Sequence, residues 1–346
     1  MVLILSSDGT GENRLRPSGM LRQVGVCARP SGPYCSDGRR VMLMRKPVKI
    51  ILDTDIGPDC DDAAALAVLH ALADSGEAEI LGVTHCTSSP WGAGCIDTIN
   101  RYYGRPDIPI GTLKTPGFLE GESYEKYNRT ICETYPNRYR KGGEPDDAAL
   151  LLRKLLAAEL DGGVVIVAIG PLPNLRGLLQ SESDEISPLA GTELVARKVS
   201  ELVVMGGAFP SGAEWNFQMD PASAKFVVEH WPTPIMFSGF EIGDAVKTGD
   251  RLFRETPDHH PVRLAYELFL GKQGGRSSWD LTAVLYGVRG LGAYWTASEE
   301  GCVSVGEAGE NEWAASPRRG HRYLMPKMDN DQLQQVLEDL LVRPAL

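Results

Sequence analysis

Five carboxylates, Asp53, Asp55, Asp59, Asp61 and Asp62, fall within ten residues of this chain. The apolar run Val48-Lys49-Ile50-Ile51-Leu52 precedes them, and the helical pattern Ala63-Ala64-Ala65-Leu66-Ala67-Val68-Leu69 follows directly. Acids at a helix start often serve only as caps or partners of the helix dipole, which accounts for one or two of the five. The rest repel one another unless a proton or a cation holds them, and the elements on either side read as buried. A hard divalent ion bound through oxygen, Ca²⁺ or Mg²⁺, resolves the conflict. The chain must therefore fold so that a strand ends, and a helix begins, around one metal site.

The same strand–turn–helix unit recurs along the sequence. Strands are expected at Val48–Leu52, Ala78–Thr84, Ile108–Ile110, Val164–Ile169, Leu202–Met205 and Ile235–Phe237. Between and after them, helices are expected at Asp61–Leu72, Gly94–Tyr103, Asp146–Leu160, after Pro173, and at Pro221–His230, Arg263–Gly271 and Leu281–Val288. Near-continuous apolar strands alternating with helices predict an α/β fold: an open, mostly parallel sheet with helices on both faces and a Rossmann-like core. Trp295–Met325 reads as a small antiparallel patch, and Asn330–Val342 as a closing helix.

Residues 1–46 read differently. They hold eight Arg/Lys against three acids, a net of +5, so residues 47–346 carry −16 of the chain's −11. Scattered Gly and Pro and the lack of any sustained period predict a disordered or poorly packed extension ahead of one catalytic domain, residues 47–346. The acidic balance argues against a nucleic-acid polymer or an anionic membrane as partner. No apolar run is long enough to span a bilayer, and no secretion signal is read. Seven cysteines, odd in number and without a CxxC, fit reduced thiols in a cytoplasm.

In an open α/β sheet, ligands bind outside the carboxyl ends of the strands. Several polar signatures fall there: the acid run, Ala168-Ile169-Gly170-Pro171-Leu172-Pro173-Asn174, and Val204-Met205-Gly206-Gly207. Further along come Glu214-Trp215-Asn216-Phe217-Gln218-Met219-Asp220-Pro221 and Trp279-Asp280. Asp53, at the strand terminus, is expected to order the loop rather than touch metal. His85 is expected to pack, and His259-His260 to be solvated.

Taken in order over residues 47–346, these motifs resemble the nucleoside hydrolase family, Ca²⁺-dependent N-ribohydrolases of the inosine-uridine preferring type. The resemblance implies hydrolysis of a ribonucleoside or related N-riboside to ribose and free base by a metal-bound water. It makes Asp55 a Ca²⁺ ligand and general base, Asp62 and Asp280 further ligands, and Ile169 a carbonyl ligand. Asp61, Glu214 and Asn216 would hold the ribose hydroxyls, Asn174 and Met205 would line the sugar pocket, and Trp279 would lie near the base. A homo-oligomer, dimer or tetramer, is implied as well. The chemistry suits the residues, because Ca²⁺ accepts seven or eight oxygens and anionic carboxylates stabilise an oxocarbenium-like sugar.

The chain departs from the family pattern twice. Its acidic motif is two residues longer than the common Asp-x-Asp-x-x-x-Asp-Asp, with Asp59-Cys60 as an apparent insertion. Many relatives also place a histidine before the last metal ligand to protonate the leaving base, and here Trp279 stands instead. Two other readings are compatible with the acids. One is a Mg²⁺-dependent phosphatase of the haloacid dehalogenase type with Asp53 as nucleophile. The other is a ribose- or nucleoside-binding protein that retains the metal without turnover.

Overall fold

β1 (Val48–Thr54) is buried from Ile50 to its end, and its side chains alternate between two apolar layers. Ile50 and Leu52 join one layer and Ile51 the other, as the two-residue period of a strand requires. A strand apolar on both faces must be covered on both. The computed structural model describes residues 46–140, 144–316 and 319–345, which belong to one compact unit. The extension expected over residues 1–46 lies, apart from Lys46, outside the described residues.

The first half of the chain continues with α1 (Asp61–Asp74), β2 (Ala78–His85), α2 (Gly92–Tyr102), β3 (Ile110–Thr112), α3 (Asn128–Thr134) and β4 (Asp146–Asp147). Then come α4 (Ala148–Ala158), β5 (Val164–Ala168), α5 (Pro173–Gln180), α6 (Gly191–Lys198) and β6 (Val199–Met205). A short excursion, β7 (Ser211–Ala213) and α7 (Trp215–Met219), precedes α8 (Pro221–His230) and β8 (Ile235–Ser238). After it lie α9 (Phe240–Asp244), β9 (Lys247–Thr248), α10 (Leu252–Glu255), α11 (Pro261–Leu270), β10 (Arg276–Ser277) and α12 (Trp279–Arg289). The chain closes with β11 (Trp295–Ala297), β12 (Gly301–Val305), β13 (Glu310–Ala315), β14 (His321–Pro326) and α13 (Asn330–Leu341).

The main sheet runs β4-β3-β2-β1-β5-β6-β8-β14-β12-β13-β7, with β11 paired to β14. From β4 through β14 every neighbouring pair is parallel. The α/β reading of the sequence therefore holds. Helices α1, α2, α11, α12 and α13 pack on one face and α4, α5, α6 and α8 on the other. Strand order reverses between β1 and β5, whose register sets Asp53 beside Ala168. That switch opens a crevice beyond the strand ends, and both the acidic turn and Ile169 emerge into it.

Some elements differ from the sequence reading. The antiparallel patch of residues 295–326 is not separate, because β14 pairs parallel with β8 (His321 with Ile235) and extends the main sheet. The strand expected at 108–110 sits two residues later, since the Pro109 carbonyl already accepts from Val83 N at 3.0 Å and pairing starts there. The helix expected from Asp146 starts at Ala148, because Asp147 is its cap and pairs with β3. His260 is buried, not solvated: its ring caps α11, accepting from Val262 N at 3.2 Å, and packs on Tyr102. No helix among the described residues is long and apolar enough to cross a membrane.

Candidate active site

β1 delivers the acids. Asp53, its last inward residue, is fully buried and accepts from Thr84 Oγ1 at 2.6 Å and Asn174 Nδ2 at 2.8 Å. Burial pushes its carboxyl up to about 7, the two hydrogen bonds only partly opposing it. Asp53 does not line the crevice; it ties β1, β2 and the start of α5 together beneath it. A nucleophile must reach its substrate, so the phosphatase reading fails on this residue.

Asp55, two residues on, does line the crevice. Gly170 makes room for it: a Cβ there would lie 2.7 Å from Asp55 Oδ1 and 2.8 Å from Cys86 Sγ. The chain then turns through Gly57-Pro58, and α1 begins with Asp61 and Asp62. Thr54 Oγ1 donates to Asp62 Oδ1, and the Asp55 and Asp62 carboxyls lie within hydrogen-bonding reach of each other. Asp280 arrives from the first turn of α12, which packs along α1. Its backbone N–H donates to Asp61 Oδ2 at 3.2 Å, so Asp61 also ties the two helix starts together.

Oxygens of Asp61, Asp62 and Asp280 all lie within 4.8 Å of one another, and all three residues are buried. Burial raises every one of these carboxyls well above the ordinary range, and their mutual repulsion raises them further. Asp55 is pushed up to about 8, chiefly by burial. An all-oxygen, anionic, buried set of this kind suits a hard cation. Ca²⁺ contacts oxygens at about 2.3–2.6 Å, so three oxygens this close can share one ion.

The acids form one wall of a cavity of about 360 Å³, within the usual range for small-molecule sites. Ile169, Met205, Glu214 and Asn216 form the adjoining wall. Glu214 caps α7: Oε1 accepts from Asn216 N at 2.8 Å, while Oε2 accepts from Gly207 N at 3.1 Å and Phe217 N at 3.3 Å. A carboxylate has about four acceptor positions, so Oε1 retains capacity for a ligand hydroxyl. Burial pushes Glu214 up to about 7 against those three N–H groups. Asn216 Nδ2 donates to the carbonyls of Met205 at 3.1 Å and Ile169 at 3.4 Å, which fixes the amide at the ends of β5 and β6.

Part of the cavity lining is aromatic. Trp279, Phe240, Phe269, Tyr124 and Trp215 line it. Trp279 lies 5.5 Å from the Phe240 ring and donates its Nε1–H to the Phe240 carbonyl at 2.9 Å. Gly243 permits this placement, because a Cβ there would sit 2.3 Å from Trp279 Cα. Asp59 and Arg276 complete the wall, joined by contacts of 2.5–3.1 Å.

Nine of the ten residues singled out in the sequence thus share one cavity: Asp55, Asp61, Asp62, Ile169, Met205, Glu214, Asn216, Trp279 and Asp280. Asn174 does not line it. Its amide is engaged by Asp53, and its side chain borders a separate cavity with Lys114 and Arg176. Asp61 stands nearer the metal-type cluster than a purely sugar-binding position implies. His85 is fully buried under Gly92, away from the cavity. Arg276, Phe240, Phe269 and Tyr124 escaped sequence reasoning; Arg276 alone left a signal there, as a cation four residues before the last acid.

Comparison with solved structures returns the same fold. The protein is similar to a plant nucleoside hydrolase (21% identity, 86% of this chain and 100% of that one, TM-score 0.62). It is also similar to an inosine-guanosine nucleoside hydrolase (21%, 85% and 98%, TM-score 0.65). A purine-preferring ribonucleoside hydrolase from Gardnerella vaginalis aligns at 18% identity over 85% of this chain and 98% of that one, with a TM-score of 0.66. Comparison with curated proteins gives no match. The sequence profile of the inosine-uridine preferring nucleoside hydrolases spans residues 50–286, from the middle of β1 to the body of α12, and so takes in every acid of the cluster. Profile, sheet order and convergent carboxylates agree: the chain belongs to the inosine-uridine preferring nucleoside hydrolase family.

Proposed function

We propose that this protein hydrolyses the N-glycosidic bond of a ribonucleoside or related N-riboside, releasing the pentose and the free base, with Ca²⁺ as cofactor. The observation that carries this reading is the buried cluster of Asp61, Asp62 and Asp280, with Asp55 beside it, in the wall of a cavity also lined by aromatic rings. Asp55, Asp62, Asp280 and the Ile169 carbonyl would hold the cation, and Asp61 stands close enough to join them. When bound, such an ion makes water more acidic and orients neighbouring hydroxyls.

The chain's own groups do the rest. Asp55 takes a proton from the attacking water, a role open to a carboxylate that lines the cavity beside the cluster. Glu214 Oε1 and Asn216 Oδ1 accept from sugar hydroxyls, and the carboxylate wall stabilises positive charge on the ring as the C–N bond lengthens. Trp279 and Phe240 give the base an apolar stacking surface. Five unpaired cysteines among the described residues support a reducing compartment, and the cytoplasm is our reading of location. A dimer or tetramer is our reading of assembly.

Purified protein incubated with a panel of ribonucleosides should release free base by chromatography, and a chelator should stop it. A silent binding protein would instead retain ligand and yield no product after long incubation.

A further inference from the structure

The Trp279 indole N–H is occupied by the Phe240 carbonyl, so this side chain offers a departing base a surface and no proton or hydrogen bond. Among the described residues, Arg276 is the one cationic side chain lining the cavity. β10, paired with β9 through Arg276 and Thr248, sets its backbone. Its guanidinium lies 4.9 Å from the Trp279 ring centroid and 5.5 Å from that of Phe269. Asp59 grips it as well: Nε donates to Oδ1 and Oδ2 at 3.1 and 2.9 Å, and Nη2 to Oδ2 at 2.5 Å. Asp59 is itself fixed, accepting from Cys60 N at 2.7 Å, and its carbonyl accepts from the Tyr127 hydroxyl at 2.7 Å. Nη1 has no hydrogen-bond partner among the described residues. The residue that pins Arg276 is the first of the two that lengthen the acidic motif.

We propose that Arg276 is the leaving-group residue of this enzyme, its free Nη1–H donating to a ring nitrogen or carbonyl oxygen of the base as the C1′–N bond breaks, with Asp59 as its positioning residue. This rests on the N-riboside reading given above. The bond's electron pair passes to the base nitrogen, and the water oxygen forms the new bond to C1′. One water proton goes to Asp55 and from there to solvent, and solvent returns a proton to the base. Arg276 remains protonated throughout, as a guanidinium must. It lowers the barrier by meeting negative charge that exists only as the bond breaks, inside a cavity where such a donor is worth more than in water. The arrangement also favours bases that present an acceptor at that edge, because a pinned guanidinium has only donors to offer.

The test compares two substrates in the Ca²⁺-loaded enzyme. A ribonucleoside needs help with its leaving group, whereas p-nitrophenyl riboside releases an anion that is stable near neutrality. Arg276→Met is expected to lower kcat for the nucleoside by about 100-fold, the low end of what a placed acid or donor contributes, while kcat for p-nitrophenyl riboside falls by less than about threefold. Asp59→Asn should show the same asymmetry in weaker form. Equal losses on both substrates would mark Arg276 as structural and overturn the assignment, as would no loss on either. Should Arg276→Met fail to fold, Arg276→Lys takes its place. It retains the charge, loses the planar fork, and is expected to keep no more than about a tenth of the nucleoside kcat. A wild-type enzyme inert toward both substrates would overturn the reading of the site, and the assignment of Arg276 with it.

Discussion

Asp53 and Asp55 stand two positions apart, one on β1 and one just past its end, and face different tasks. Asp53 points into the packed interior, where Thr84 and Asn174 satisfy one of its oxygens and the other is unpartnered. Asp55 comes out beyond the strand end, into the cavity. Replacing Asp55 by Ala should therefore abolish cation retention and lower turnover by about 10²–10⁴-fold with little loss of fold, measured by calorimetric Ca²⁺ titration alongside base release. Wild-type cleavage by that variant would remove Asp55 from the mechanism. Asn174→Ala makes the complementary case. Leaving a buried carboxylate short of a donor costs about 1–3 kcal/mol, so the melting temperature should drop while KM stays put. A raised KM at unchanged stability would return Asn174 to the wall of the sugar pocket.

The site depends on where two helices begin. α1 and α12 pack side by side, and their first turns bring Asp61, Asp62 and Asp280 together. The start of α12 also packs closely on α9, where Gly243 has no side chain to hold it away. Gly243→Ala is expected to push Trp279 and Asp280 outward, costing about 1–3 kcal/mol as other overpacked sites do and weakening Ca²⁺ binding by more than the loss of stability alone would suggest. Melting curves with and without the ion, combined with titration, read both effects. Unchanged affinity in a folded variant would mean that α12 has slack at this contact. This scale also separates what was legible in the chain from what was not. The apolar runs at residues 50–52, 164–168 and 202–205 announced themselves because strands covered on both faces carry apolar side chains in succession. The acids announced themselves by crowding. Phe240, Phe269 and Tyr124 gave no signal, since isolated aromatics scattered over two helices and a turn acquire a role only when distant elements assemble. His260 misled because a polar neighbourhood in sequence hides an imidazole that folds inward to cap α11.

Across the whole molecule the acid cluster should leave a mark on stability as well as on chemistry. Asp53 and Asp55 are held at about 7 and 8 against an ordinary value of 3.8, and Asp61, Asp62 and Asp280 are raised too. Raised carboxyls mean that the metal-free fold binds more protons than the unfolded chain, from about pH 4 up to about pH 8. Stability in chelator must then fall as pH rises through that window, the reverse of the usual acid-labile pattern. Added Ca²⁺ should raise the melting temperature far more at about pH 8 than at about pH 5, because only ionised acids need it. A flat profile in chelator would show that some group within the chain already neutralises the cluster. The partners that make the cluster, Asp61 and Asp280, lie 219 positions apart. A ribosome therefore releases the first acids long before the helix bearing the last one exists, and β14, which extends the parallel sheet, emerges later still. The nascent chain must carry its crowded aspartates through most of synthesis without their closing partner, so metal loading belongs to the end of translation, after α12 has docked.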